Sequence, residues 1–361
     1  MNRFLLGTSM LISCFSTIAG NLQPKSLLSK DLQMKAKQFY ADKAVLVTGG
    51  CGFIGSHIVE QLLKHGARVT VIDNLSTGFE KNIASFKNKI TLIKKSITDP
   101  SACDQAVAGA EVVFHLAAYT SVPGSVSNPA LCHQINVDGT FNLLKAASQH
   151  GVKRFVFSST SSVYGPREDR CCETDTHLNP SSPYGATKLM GELYCKQFSL
   201  LFNVPCVMLR YFNVFGPRQN PDSQYAAAVA KFRQRMERNE PITIFGDGTQ
   251  TRDFVHVEEV ALANLIVGMA PQESVNSQIY NIGTGKSISI LELSESLKKE
   301  YPHYNHETQF APARDGDVPH TQMSADKFNA LKEKLLESED AQTTSSFFSQ
   351  HSNKNQQSAA G

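Results

Sequence analysis

The chain has 361 residues, 41% of them hydrophobic and 19% charged, enough to bury a large core in one or two domains. Its 35 basic and 33 acidic residues leave a formal charge of +2, which supplies no electrostatic footprint for nucleic acid. The eight cysteines form no Cys-x-x-Cys pair and no Cys/His cluster with zinc-like spacing. No metal site is therefore expected, and scattered thiols, with Cys171 and Cys172 as two ordinary loop residues, fit a reducing, cytoplasmic compartment.

Residues 1–40 read as a leader or signal-like extension. Arg3 precedes an apolar run from Phe4 to Gly20, a pattern that resembles a secretory signal. Gly7, Thr8, Ser9 and Ser13 interrupt the run, so it is a weak membrane span. The other reading is an upstream extension with translation starting near Met34; membrane association follows only from the first. From Lys43 short apolar runs alternate with amphipathic stretches. "AVLVTGG", "RVTVIDN", "ITLIKKSI", "AEVVFHLAA", "VKRFVFSST" and "VPCVMLRYFNVFG" read as strands. "IGSHIVEQLLKHG", "NVDGTFNLLKAASQHG" and "SPYGATKLMGELYCKQFSLLF" read as helices between them. That alternation predicts βαβ units and an α/β fold, a doubly wound parallel sheet of Rossmann type. After Gly216 come a Pro/Asn/Asp loop, a basic helix, two short strands around Gly246-Asp247-Gly248, a further helix, "IYNIGTG" and "SISILELSESLKKEY". These predict a smaller C-terminal substrate-binding lobe, residues 216–249 and 286–337. The large domain spans 41–215, with 250–285 returning to it. Residues 338–361 are Ser/Gln/Asn-rich and read as a disordered tail.

Gly49, Gly52 and Gly55 stand three apart between a strand and a helix. Such glycines permit a sharp turn, a close backbone approach to pyrophosphate and tight helix–strand packing. Asp73 ends the next strand, where a carboxylate binds adenosine ribose hydroxyls and repels a 2′-phosphate. "NLSTG" holds no basic residue for such a phosphate, so NAD is favoured over NADP. Tyr184 and Lys188 lie four apart at a helix start, on one helical face. An ammonium beside a phenol, together with a positive nicotinamide ring, favours the phenolate and makes Tyr184 a candidate general base. The preceding strand ends in the hydroxyl cluster "SSTSSVYG".

From about Lys43 to Lys327 the chain resembles the NAD-dependent epimerase/dehydratase family of extended short-chain dehydrogenases/reductases, most like its UDP-sugar 4-epimerases. The resemblance rests on many motifs in order: "TGGCGFIGSH", "DNLSTG", "VFHLAA", "SVPGSVSNP", "NVDGTFNLL", "SSTSSVYG", "PYGATK", "RYFNVFGPRQ", "GDGTQTRDFVHVEEVA", "YNIGTG" and "RDGDVPHT". It implies a catalytic set of Thr160, Tyr184 and Lys188, with Ser159 and Ser161 as neighbours and Ser161 near the substrate. It implies cofactor contacts from Gly49, Gly52, Phe53, Ile54, Gly55, Asp73, Asn74, Ser76, Thr77, Gly78, Leu116, Ala117 and Ala118, besides Tyr184 and Lys188. It implies a UDP-sugar held by Asn213, by Arg252 and Arg314 on the diphosphate, and by Asp317 on a ribose hydroxyl. A homodimer packed through the Tyr184 helix is also implied.

Within the resemblance, dehydratases carry Asp-Glu directly after the catalytic threonine and sugar-acid decarboxylases a glutamate two residues after it. Ser161 and Ser162 stand here, so 4-epimerisation is the expected reaction. A bulky tyrosine seven after Arg314 restricts relatives to plain hexoses. Thr321 at that place favours UDP-N-acetylglucosamine/UDP-N-acetylgalactosamine, with UDP-glucose/UDP-galactose also expected. The alternatives are another NAD-dependent nucleotide-sugar oxidoreductase and a non-catalytic NAD/UDP-sugar-binding relative. Three departures stand out. Ser96 replaces the usual aspartate beside adenine, with Ser96 or Asp99 as its substitute. The family closes with a Gly-Trp-x-Pro segment and a last helix, whereas this chain has no tryptophan and turns polar after "ADKFNALKEKLL", so that cap is either missing or drifted. The apolar leader is the third.

Overall fold

The computed structural model describes residues 29–167, 169–220, 228–313 and 320–337. The apolar leader at 1–28, Arg314, Asp317 and the polar tail from 338 lie outside the described residues. The strands are β1 (Ala44–Thr48), β2 (Arg68–Ile72), β3 (Ile90–Ile93), β4 (Val112–His115), β5 (Arg154–Thr160) and β6 (Cys206–Tyr211). There follow β7 (Asn213–Phe215), β8 (Thr243–Phe245), β9 (Thr251–His256), β10 (Ile279–Ile282), β11 (Ser287–Ser289) and β12 (Gln309–Ala311). Seven of them form one parallel sheet in the order β10-β6-β5-β4-β1-β2-β3. β1 and β4 are neighbours although β2 and β3 intervene in sequence, so the connections diverge there. A crevice opens at that switch point, beyond the carboxyl ends of the strands.

The helices are α1 (Lys30–Tyr40), α2 (Phe53–Lys64), α3 (Pro100–Val107), α4 (Val122–Ser127), α5 (Pro129–His133) and α6 (Gly139–Gln149). After them come α7 (Pro183–Leu201), α8 (Ala228–Glu237), α9 (Val257–Met269), α10 (Gln272–Val275) and α11 (Ile290–Lys298). One face of the sheet is covered by α1, α2 and α9 and the other by α3, α6 and α7. Central strands are therefore buried on both sides, which is why β4, β5 and β6 show continuous burial instead of alternation. A third core, with Phe215, Phe232, Met236, Ile244 and Leu293, fills the smaller lobe. There β9 lies between β7 and β11, while β8 pairs with β12. The positive-φ residues Gly246 and Gly248 carry the chain from one of these small sheets to the other.

One finding departs from the sequence reading. Residues 30–40, assigned there to the leader, form a helix of the core. Leu32, Ala36 and Tyr40 are buried along one side of it, and the Tyr40 hydroxyl donates to the Leu265 carbonyl of α9 at 2.8 Å. The stretch "ADKFNALKEKLL" is helical over residues 326–337 and buries Phe328, Leu331 and Leu335 against the α1/α2/α9 face. Lys35 of α1 donates to the Leu335 carbonyl, so the two ends of the described chain meet.

Candidate active site

The turn after β1 is shaped by what a side chain would strike. Gly49 has φ +68°, and a Cβ there would lie 2.8 Å from the Ala117 amide nitrogen; one on Gly55 would lie 2.2 Å from the Gly49 carbonyl oxygen. Gly52 is the N-cap of α2 and offers no side chain to cap it, so the first turn presents N–H groups and its positive dipole end outward. Asp73, at the end of β2, is nearly buried, and burial pushes its carboxyl up. The backbone N–H groups of Cys51 (2.9 Å) and Leu75 (2.8 Å) donate to its two oxygens and oppose that shift. This cradle fits a dinucleotide: room only for backbone at the turn, donors at the helix end and an oriented carboxylate beyond.

Every residue expected to hold the cofactor, from Gly49 through Ala118 to Tyr184 and Lys188, lines one cavity of about 700 Å³. Thr160 lines it too, so the glycine turn and the hydroxyl cluster share one space. Ser96 is in the wall, its Oγ 2.8 Å from Thr98 Oγ1. Asp99 instead caps α3 by accepting from the Ser101 and Ala102 N–H groups; of the two proposed substitutes, Ser96 is the one that lines the cavity.

β5 delivers Thr160 as its last residue, and α7 begins just after Ser182, whose hydroxyl caps the helix. Two links set the start of α7. Ser125 of α4 accepts the Tyr184 N–H at 3.1 Å. Asn136 holds both polar backbone groups of Tyr119, accepting its N–H at 2.7 Å and donating to its carbonyl at 3.1 Å, and its Nδ2 reaches Thr187 Oγ1 at 3.0 Å. Asn136 lies in a single π-helical turn, Gln134–Asp138, ahead of α6, a bulge type common at functional sites. Behind it, His115 is neutral by hydrogen-bond logic. Thr140 gives its proton to the Asn136 carbonyl and so accepts from His115 Nε2, while Nδ1 accepts from Thr48. The Thr48 oxygen takes the Leu116 and Ala117 N–H groups and thereby fixes the loop after β4.

Tyr184 and Lys188 line the same cavity as Thr160, and burial is the largest influence on the charge of each. Burial pushes the Tyr184 phenol up to about 12, opposed by its hydrogen bond with Thr160. Burial also pulls the Lys188 ammonium down to about 8. The lysine nitrogen is turned to the Ser158 carbonyl, at 2.8 Å, and lies 5.0 Å from the centre of the Phe157 ring. Desolvation disfavours the charged form of both groups in this cavity.

The substrate-side expectations are less closely gathered. Asn213 Nδ2 donates to the Asp253 carbonyl at 3.1 Å, and Arg252 Nη1 to the Thr251 carbonyl at 2.9 Å. Thr321 meets that same carbonyl through its N–H (3.1 Å) and Oγ1 (3.3 Å). These three and Ser161, which opens a short 3-10 turn (Ser161–Val163), stand outside the cavity wall. Among the wall residues to which sequence reasoning assigned no role are Tyr211, Phe212, Val214, Gln219 and Asn220. They all fall in the quoted "RYFNVFGPRQN" stretch, so the signal was there; the way the chain turns after β6 was not.

Residues 45–283 match the NAD dependent epimerase/dehydratase family. The chain belongs to that family. A putative UDP-glucose 4-epimerase of Methanocaldococcus jannaschii is 38% identical over 80% of this chain and 92% of its own length. A solved UDP-N-acetylglucosamine 4-epimerase of Methanobrevibacter ruminantium M1, in complex with UDP-N-acetylmuramic acid, is 38% identical. It superposes with TM-score 0.76 over 81% of this chain and 92% of that one. The Thermus thermophilus UDP-glucose 4-epimerase in complex with NAD is 36% identical, TM-score 0.72, covering 80% and 92%. The family chain is thus an NAD-dependent enzyme of the epimerase type, on the parallel α/β sheet expected of it. Among the described residues no helix is long and apolar enough to cross a membrane.

Proposed function

We propose that this enzyme interconverts UDP-hexoses epimeric at C4, with UDP-N-acetylglucosamine/UDP-N-acetylgalactosamine preferred and UDP-glucose/UDP-galactose also accepted. The observation that carries the reading is one cavity that joins the glycine turn to Thr160, Tyr184 and Lys188, with serines at 161 and 162 where elimination would need acids.

The glycine turn, Asp73 and Lys188 would hold NAD, which when bound supplies reversible acceptance of hydride from the sugar C4. Tyr184 Oη takes the proton of the 4-hydroxyl and later returns it. Thr160 Oγ1 hydrogen-bonds the same oxygen and holds it against the phenol. Lys188, cationic below about 8, supplies positive charge beside the developing phenolate. The 4-keto sugar then turns over, so that the hydride held by the bound cofactor would return to the other face of C4, while Tyr184 Oη gives the proton back to the same 4-oxygen. Arg252 and Asn213 are assigned to the UDP diphosphate and the sugar, with Arg314 and Asp317 completing that grip. Thr321 leaves room for an acetamido group. The protein acts as a homodimer through α6 and α7, whose exposed Phe141, Met190, Leu193 and Leu201 lie on neighbouring helices, with Phe141 against Tyr194.

The test is incubation with UDP-N-acetylglucosamine and UDP-glucose separately, products resolved by NMR. A 4-epimer with no net change in NADH absorbance supports the reading; stoichiometric accumulation of any other product, or no product, refutes it.

A further inference from the structure

One turn beyond Lys188, and two beyond Tyr184, the same face of α7 carries Glu192. Its side chain is almost completely buried, yet it does not enter the cavity. Three donors converge on it: Ser159 Oγ to Oε1 at 2.6 Å, Arg210 Nε to Oε1 at 2.9 Å and Arg210 Nη2 to Oε2 at 2.7 Å. Arg210 belongs to β6 and is equally buried. Its guanidinium sits 4.6 Å from the centre of the Tyr164 ring, and the Tyr164 hydroxyl donates to Asn281 Oδ1 of β10 at 2.7 Å.

We infer that Glu192 is a positioning residue for the reaction proposed above, and the inference rests on that reading. Through Arg210 and Ser159 it ties α7 to β6 and to the residue immediately before Thr160. The base comes from α7 and its hydroxyl partner from the end of β5, so their separation is set by whatever joins those two elements. Backbone hydrogen bonds within the sheet hold β5 to β6 but do not reach a helix lying across it. Beside the Lys188 bond to the Ser158 carbonyl, Glu192 supplies a second link with a charged group that cannot slide, because two fork contacts to Arg210 fix its plane. Replacing a buried ion pair by apolar packing is often neutral for stability, and fixing register is the best-attested use of such pairs. Here that register is the placement of Tyr184 and Lys188 against Thr160.

The test is a cycle of Ser159→Ala, Glu192→Gln and the double variant, with kcat and KM for the UDP-hexose, thermal midpoint and amide hydrogen exchange over residues 183–189. Ser159→Ala is expected to lower kcat about tenfold, with KM within about twofold and an unchanged midpoint, since small misplacements of reacting groups cost rate before binding. Exchange over 183–189 rises. The double variant is no slower than the slower single one, because Ser159 acts through Glu192. Multiplying effects would mean that Ser159 acts on the substrate directly, and would overturn the inference. So would an unchanged kcat, or a kcat loss that tracks a falling midpoint. If Glu192→Gln leaves Arg210 uncompensated and fails to fold, Glu192→Leu/Arg210→Met takes its place in the cycle. A wild-type chain that epimerises nothing refutes the proposed function; the exchange arm then still decides the brace, which falls if exchange over 183–189 is the same in Ser159→Ala as in wild type.

Discussion

Lys188→Met should make the nucleotide-free protein more stable at neutral pH while destroying its activity. The folded site holds the ammonium at a pKa of about 8, down from 10.5, with burial as the largest cause. At 1.36 kcal/mol for each pKa step, keeping the charge at pH 7 costs the folded state about 3 kcal/mol. Methionine has similar length and no charge, but it forfeits the 2.8 Å bond to the Ser158 carbonyl, worth about 1 kcal/mol. The net gain is about 2 kcal/mol. Its pH dependence has a definite sign. Below about 8 both folded and unfolded wild type carry the proton, so the whole penalty is present. Between there and 10.5 the folded state sheds the proton first, and wild-type stability rises with pH. Above that range the penalty is gone and the variant is left with only the lost hydrogen bond. Denaturant unfolding of both proteins across this range measures it, with nucleotide removed because a bound cofactor stabilises by mass action. A variant less stable than wild type near neutrality, or an advantage that does not fade with rising pH, refutes the reasoning.

Tyr184→Phe keeps the ring and removes the only proton carrier assigned to the sugar oxygen; kcat should fall by about 10³-fold or more, with bound NAD retained on the purified protein. Thr321→Tyr should lose the acetylated substrates selectively in paired kinetic assays, and equal loss of both substrate types would count against its assignment. Leu193→Asp with Leu201→Asp, at positions 55% and 64% exposed, should convert a dimer to a monomer by light scattering without lowering secondary structure by circular dichroism.

The sheet was legible because its signals are local. β1 and the glycine turn declare themselves in seven letters, and "FVFSST" is a run of buried β-branched and aromatic residues that could only be an interior strand. α1 was equally visible in principle: Ser29 is a helix cap, and Leu32, Ala36 and Tyr40 repeat at helical spacing. It was passed over because an apolar leader next to it drew residues 30–40 into the same reading. The helices α4 and α5 are each only five or six residues long, too short for periodicity to register. What sequence could not supply is the competition among charges. The spacing of Tyr184 and Lys188 is a helix fact, but the direction of the lysine nitrogen toward Ser158 depends on where β5 ends. Glu192 and Arg210 sit in stretches read simply as helix and strand; only folding brings the two together.

The cavity's proton inventory bears on the reaction itself. Among the described residues of its wall, Asp73 is the one carboxylate, and it lies at the cofactor end with its oxygens taken up by backbone N–H groups. Tyr211 is in the wall as well, but its hydroxyl is engaged with Ser158 and Asn264, and burial pushes it up to about 12. His115 is neutral and fully bonded behind the wall. Once C4 is a ketone, the hydrogens on C3 and C5 become acidic, and a nearby base would remove them, leading to elimination or to inversion at those carbons. With Tyr184 committed to the 4-oxygen and the Lys188 nitrogen turned to the Ser158 carbonyl, this wall leaves no free carboxylate or imidazole to act as such a base. Epimerisation in D2O should therefore yield a product without deuterium at C3 or C5, as read by mass spectrometry and proton NMR. Deuterium at either carbon would mean that a second base reaches the sugar, and the confinement of chemistry to C4 would not follow from these residues.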